Sequence, residues 1–94
     1  MPTFERLRRF DRDFAGLSDF QKAAFRSAVQ KFVADLDRGE GFRKGLRVKG
    51  IRGAAGMFEL TWADDGRATF SYGESRRNDE PHIVWHRVGT HDVL

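Results

Sequence analysis

The sequence predicts an α+β domain in which two N-terminal helices pack on one face of a mostly antiparallel, strongly twisted sheet of three or four strands. Three observations carry this expectation. Apolar residues recur at helical spacing between Phe10 and Leu36, they alternate at strand spacing from Leu46 onward, and segment 56–73, GMFELTWADDGRATFSYG, reads as a hairpin with one apolar and one polar face.

Residues 3–9 give a short edge strand leading into a helical turn. Phe10, Phe14 and Leu17 then fall at i, i+4 and i+7, so a first short helix ends near Gly16 and Leu17. Ser18-Asp19-Phe20-Gln21 is a capping box, because the Ser18 hydroxyl and the Gln21 side chain can each satisfy an amide left unpaired at a helix start. The second helix that begins there runs to about Arg38, with Phe25, Ala28, Val29, Phe32, Val33 and Leu36 on one stripe and Lys22, Arg26, Gln30, Lys31, Asp35 and Asp37 around the rest; Gly39 ends it. The glycine- and charge-rich stretch 39–45 is a flexible connector. Residues 46–51 form a strand with Leu46 and Val48 on the apolar side and Arg47 and Lys49 opposite, and residues 50–56 turn into the hairpin.

In the hairpin, Asp64-Asp65-Gly66 is a three-residue connection with glycine where such loops favour the left-handed conformation. With Ala63 opposite Arg67, Trp62 faces Ala68, Leu60 faces Phe70 and Phe58 faces Tyr72, while Thr61 meets Thr69 and Glu59 meets Ser71 on the other side. Residues 75–81 are a polar loop. His82 to Val88 form the last strand, ended by Gly89. The helix stripe covers the apolar face, which leaves a polar face bearing Arg47, Lys49, Glu59, Thr61, Arg67, Thr69 and Ser71.

Composition narrows the function classes. Ninety-four residues make a single domain, 1–94, and 39% hydrophobic residues with nine phenylalanines place it among folded chains despite 33% charged residues. No apolar run approaches the roughly 20 residues of a membrane span. The opening MPTFERLRRF lacks the apolar core of a signal peptide, so a cytoplasmic location is expected and no membrane partner. With no cysteine there is neither a disulfide nor a thiol nucleophile, and the commonest structural zinc sites are excluded. His82 and His86 stand about 13 Å apart at strand rise and cannot share a metal, so no metal or other cofactor is expected. A net charge of +3 and a pI near 9.8 suit a polyanionic partner.

The strand GLRVKGIRG, the hairpin GMFELTW…GRATF and above all the terminal WHRVGTHDVL resemble the RelE/ParE superfamily of bacterial toxins, particularly its RelE-like branch. The resemblance covers essentially the whole chain, and its most specific part is the final strand followed by Gly89-Thr90-His91. It implies a microbial RNase-like fold, metal-independent cleavage of mRNA in the ribosomal decoding site, and a cognate antitoxin that holds the toxin inactive. By position, Arg47 and Lys49 match the family's basic second-strand residues, Arg67 matches the arginine opening the strand after the hairpin turn, and His91 matches the C-terminal His or Arg. Glu59 and Thr61 stand where some relatives place lysines, and Asp92, Val93 and Leu94 follow His91 where some relatives end in tyrosine.

Such cleavage needs a base for the ribose 2′-OH, cations for the charge on the phosphorane and an acid for the leaving 5′-oxygen. Arg67, Lys49 and Arg47 are candidates for the phosphate clamp. Histidine as a residue type suits acid or base work near neutrality, which makes His91 a candidate for proton transfer, and Glu59 is either a base or a cross-strand salt-bridge partner of Lys49 or Arg47. In a regular strand Trp85 and Arg87 share a side, from which either can stack on a base or touch a phosphate; Trp85 is instead a core residue if the strand is buried on both faces. Two other readings fit the same residues: a ParE-like toxin that binds a protein such as a topoisomerase, and an inactive homologue that only pairs with an antitoxin.

Overall fold

The computed structural model describes residues 2–94. Strand β1 (Thr3–Arg6) is followed by helices α1 (Arg8–Ala15) and α2 (Asp19–Arg38), a 3-10 turn at Lys44–Leu46, and strands β2 (Lys49–Gly50), β3 (Met57–Thr61), β4 (Gly66–Gly73) and β5 (His82–Thr90); a second 3-10 turn, His91–Val93, closes the chain. The α+β expectation therefore holds, with a sheet of five strands rather than three or four. The order is β1-β5-β4-β3-β2, antiparallel throughout except that β1 lies parallel to β5. The whole α1–β4 segment separates β1 from β5 in the chain, as a parallel neighbour requires.

Ser18 caps α2 with the reciprocal pair predicted: its hydroxyl accepts from the Gln21 amide at 3.1 Å, and the Gln21 side chain accepts from the Ser18 amide at 2.9 Å. Gly39 ends the helix in the left-handed conformation, φ 71°. The core is an aromatic cluster between helices and sheet. Phe32 packs edge-on to Phe70 at 5.0 Å, and Phe25 lies 5.6 Å and Phe10 6.0 Å from the Trp85 ring. Burying a side chain of this size stabilises by roughly 1.5–3 kcal/mol, so this cluster is the main attachment of the helices to the sheet.

Five local features depart from the sequence expectations. The hairpin register is shifted by two: Thr61 pairs with Arg67, Leu60 with Ala68, Glu59 with Thr69 and Phe58 with Phe70. An even shift keeps every side chain on its face, so Leu60, Ala68 and Phe70 remain buried as expected. The loop is Ala63-Asp64-Asp65, closed by Trp62 N–H donating to Gly66 C=O at 3.1 Å and Gly66 N–H donating to Ala63 C=O at 3.0 Å. Gly66 does not have positive φ; it is needed because the Trp62 indole lies across it, and a Cβ there would sit 2.5 Å from the ring.

The strand expected at 46–51 shrinks to Lys49–Gly50. Leu46 reaches the core from the 3-10 turn, and Arg47 caps that turn at φ 48°, ψ 43°, outside any strand. The connector 39–45 is tethered: Phe42 stacks on Phe32 at 5.0 Å, and Asp35, placed by spacing on the polar side of α2, is 1% exposed and binds the connector. Strand β5 continues through Gly89 to Thr90, with Gly89 opposite Arg67. Finally, the β4–β5 register slips between Thr69 and Phe70, since Thr69 pairs with Arg87 but Phe70 with Trp85, leaving His86 as the extra residue of a bulge. The bulge turns Trp85 into the core beside Val88 and puts Arg87 on the opposite face with Thr69, so Trp85 and Arg87 do not share a side.

Candidate functional site

Ladder pairing lays the polar face out in rows. Thr61, Arg67 and Gly89 form the row at the hairpin end; Lys49, Glu59, Thr69 and Arg87 form the next. The sequence left this face free, but the C-terminal 3-10 turn folds back over part of it. A Cβ on Gly89 would stand 2.8 Å from Val93 Cγ1, so the glycine makes room for the returning chain without any unusual φ. Val93, Leu94, Ile51, Thr69, His86 and Arg87 line a shallow depression of about 410 Å³ beneath the turn.

His91 is exposed and opens that turn, directly after Thr90, which pairs with Gly66. Its backbone therefore leaves the sheet at the end where β4 begins, beside the Arg67–Gly89 pair. Arg67 is half-buried, and its Nη1 donates to the carbonyls of Gly66 at 3.0 Å, Asp64 at 3.2 Å and Ala63 at 3.4 Å, while Trp62 Nε1 donates to its own carbonyl at 3.0 Å. The guanidinium is thus oriented by the loop it closes, and those bonds leave Nε and Nη2 unused as a second pair of donors.

The remaining candidates are distributed differently. Lys49 Nζ lies 3.4 Å from Glu59 Oε1, with the Glu59 side chain largely buried and Lys49 exposed, which is the cross-strand ion pair weighed from sequence. Arg87 Nε and Nη2 donate to Asp13 at 2.6 and 3.2 Å, and the Val88 amide donates to the same carboxylate at 3.2 Å. These bonds hold the Asp13 carboxyl below its ordinary pKa, the Arg87 contact contributing most, and raise that of Arg87. The pair fixes α1 against β5 past the end of β1. Arg47 sits away from Lys49, at the mouth of a separate cleft of about 520 Å³ between α2, the connector and the hairpin tip, lined among others by Lys31, Arg43, Thr61, Asp64 and Arg67.

Two polar clusters escaped the sequence reading. The bulged His86 places Nε2 2.8 Å from the Ser71 hydroxyl, and partial burial pushes the imidazole below its ordinary pKa, with Glu5 opposing the shift. The buried His82 lies between Thr3 Oγ1 at 2.6 Å and Glu5 Oε1 at 2.9 Å, a contact that, with Arg76, lowers the Glu5 pKa. Each joins chain segments that only the fold brings together.

No family model and no curated protein sequence matches the chain. Solved structures do. A chain of the E. coli DinJ–YafQ toxin–antitoxin complex superposes with a TM-score of 0.73 at 11% identity, covering 99% of this chain and 96% of that one. A metal-bound toxin from Helicobacter pylori gives 0.69 at 18% identity, covering 100% and 99%. A chain of the RelB–RelE antitoxin–toxin complex from Methanococcus jannaschii gives 0.64 at 11% identity, covering 94% and 91%.

Proposed function

Since the chain has the fold of RelE- and YafQ-type toxins, we propose that it is the toxin of a toxin–antitoxin pair and a metal-independent endoribonuclease that cuts mRNA on the ribosome. One observation supports the assignment most: the final strand brings Gly89 opposite Arg67 and then turns at Thr90-His91, so that a free imidazole and an oriented guanidinium issue from one end of the polar face.

The reaction is an in-line displacement in which the P–O2′ bond forms and the P–O5′ bond breaks. Arg67 meets the scissile phosphate through Nε and Nη2 and holds the charge that grows on its non-bridging oxygens. His91 exchanges the proton, taking it from the 2′-OH or giving it to the 5′-oxygen. Glu59, paired with Lys49, lies one row away from Arg67 and serves to fix that lysine beside the RNA backbone. Arg87, bound to Asp13, acts on the RNA only by positioning the face. The natural partner is an acidic antitoxin segment that covers the cationic end of the face, since opposite charge steers such association and masks the site.

In a cell-free translation reaction the protein should stop protein synthesis, and a purified acidic antitoxin should restore it. Undiminished synthesis with a folded protein contradicts the reading.

A further inference from the structure

The 520 Å³ cleft carries four cationic side chains on its walls, Lys31 from α2, Arg43 and Arg47 from the connector region and Arg67 from β4, against one acid, Asp64. Arg43 is spent internally: Nε and Nη2 donate to Asp35 at 3.0 and 2.9 Å, the Arg43 amide donates to it at 2.9 Å and Arg38 Nη2 at 2.8 Å. These contacts, those of Arg43 first, hold the Asp35 carboxyl well below the usual range, so it remains the anchor of the connector at any ordinary pH. Lys31, Arg47 and Arg67 are left facing a cleft with only Asp64 to offset them.

Arg47 supplies an independent indication. Of the other described positions of positive φ, Gly39, Gly41, Gly53 and Gly56 are glycine and Asn78 and Asp79 are short polar residues of the kind enriched there, whereas this one is an arginine at φ 48°. An L side chain rarely adopts this conformation. Arg47 thus lines the cleft from a backbone conformation unfavourable to its own side chain. Strand β2 begins only at Lys49, opposite Glu59, so among the described residues no strand covers the outer edge of β3 at Thr61, and Thr61 lines the cleft there. Arg67 and Thr61 belong to both the cleft and the polar face.

We propose that this cleft is a phosphate-binding subsite for single-stranded RNA, gripping the backbone beside the cleavage point with Arg47 and Lys31; the assignment rests on the RNA reading above. A strand lying on the polar face at Arg67 runs on past Thr61 into the cleft, where its next phosphates meet the two cations. Arginine suits the bidentate phosphate contact and lysine the point charge.

The test uses a fluorescein-labelled short 2′-O-methyl oligoribonucleotide, which lacks the 2′-OH and is not cut, titrated with the full chain at several salt concentrations. Arg47→Gly suits the left-handed position, so its thermal midpoint should match or exceed that of the wild type while binding weakens; Lys31→Gln is the second variant. Each should flatten the plot of log affinity against log salt by about 0.7, the value of one single-strand phosphate contact. Wild-type affinity and slope in both variants would overturn the proposal. So would unchanged RNA binding with lost capture of a co-expressed antitoxin, which assigns the cleft to an acidic polypeptide. Flattened slopes in a protein that cuts no mRNA retain the subsite and retire the nuclease, whereas intact mRNA cleavage with unchanged slopes does the reverse.

Discussion

The position of Arg67 depends on the hairpin register, and the Trp62–Gly66 contact sets that register. In Gly66→Ala the new methyl would stand 2.5 Å from indole carbons of Trp62, closer than carbon atoms approach without displacement. Because Trp62 is buried and its Nε1 is bonded to Arg67 C=O at 3.0 Å, the ring has little room to withdraw. Overpacking of this kind costs about 1–3 kcal/mol. For a chain of this length, each kcal/mol lowers the midpoint by roughly 4–8 °C. A bare left-handed glycine in a loop would also penalise alanine, so the single variant does not decide the matter. A double-mutant cycle does. Trp62→Ala alone costs about 3–5 kcal/mol, and in that background the added Gly66→Ala should cost almost nothing, a coupling of about 1–3 kcal/mol. Urea unfolding of the four proteins measures it, with midpoints compared at constant slope. Additive costs in the cycle would refute the contact and with it the register that places Arg67 opposite Thr61.

Other expectations follow from the same geometry. Asp13→Ala should cost about 1.5–3 kcal/mol by removing charge-assisted bonds to Arg87 and the Val88 amide, read by urea unfolding; a neutral effect would disconnect α1 from β5. Since the folded state lowers the Asp13 pKa, its contribution is present above the unfolded value near 3.9 and fades as pH falls through the lower folded value, so Asp13→Asn should flatten the acid limb of the stability curve below about pH 4. His86 acts in the same direction in a higher pH window. Its lowered pKa means that the unfolded chain binds the proton more readily, so its effect is to reduce stability as pH drops below about 6.5, and its imidazole should titrate below that value by NMR. An NMR midpoint at or above 6.5 would contradict its burial beside Ser71. His91→Ala should slow RNA cleavage by about 10²- to 10⁴-fold and leave the unfolding midpoint unchanged; full activity would pass proton transfer to Glu59 or to the substrate.

Much of this molecule is legible in its sequence because periodicity and local chemistry decide it. The capping box at Ser18, the stripe of α2 and the two hairpin faces all depend on residues near one another in the chain. The register was not legible for a physical reason: loops at 63–65 and 64–66 have the same length and preserve the same faces, and only the indole lying over Gly66 selects between them. No glycine or proline marks the bulge at His86, which arises as Trp85 and Val88 both reach the core. Leu46 and Val48 alternate as a strand would, but Leu46 fills the core equally well from a 3-10 turn, and this moves Arg47 from the polar face to the cleft. The Asp13–Arg87 pair spans 74 residues, beyond any local rule. Thus the Lys49–Glu59 pair was among the readings open from the sequence, while the partner of Arg87 required the fold.

The most direct test of the account is 5′-end mapping of a defined mRNA incubated with the purified protein, with and without translating ribosomes. The account predicts discrete cuts with wild-type protein on ribosome-bound message, their loss in His91→Ala and in Arg67→Ala, and no dependence on added or chelated metal. An uncut message under every condition, from a folded protein that still arrests growth, would contradict it and assign the toxicity to binding of a protein target.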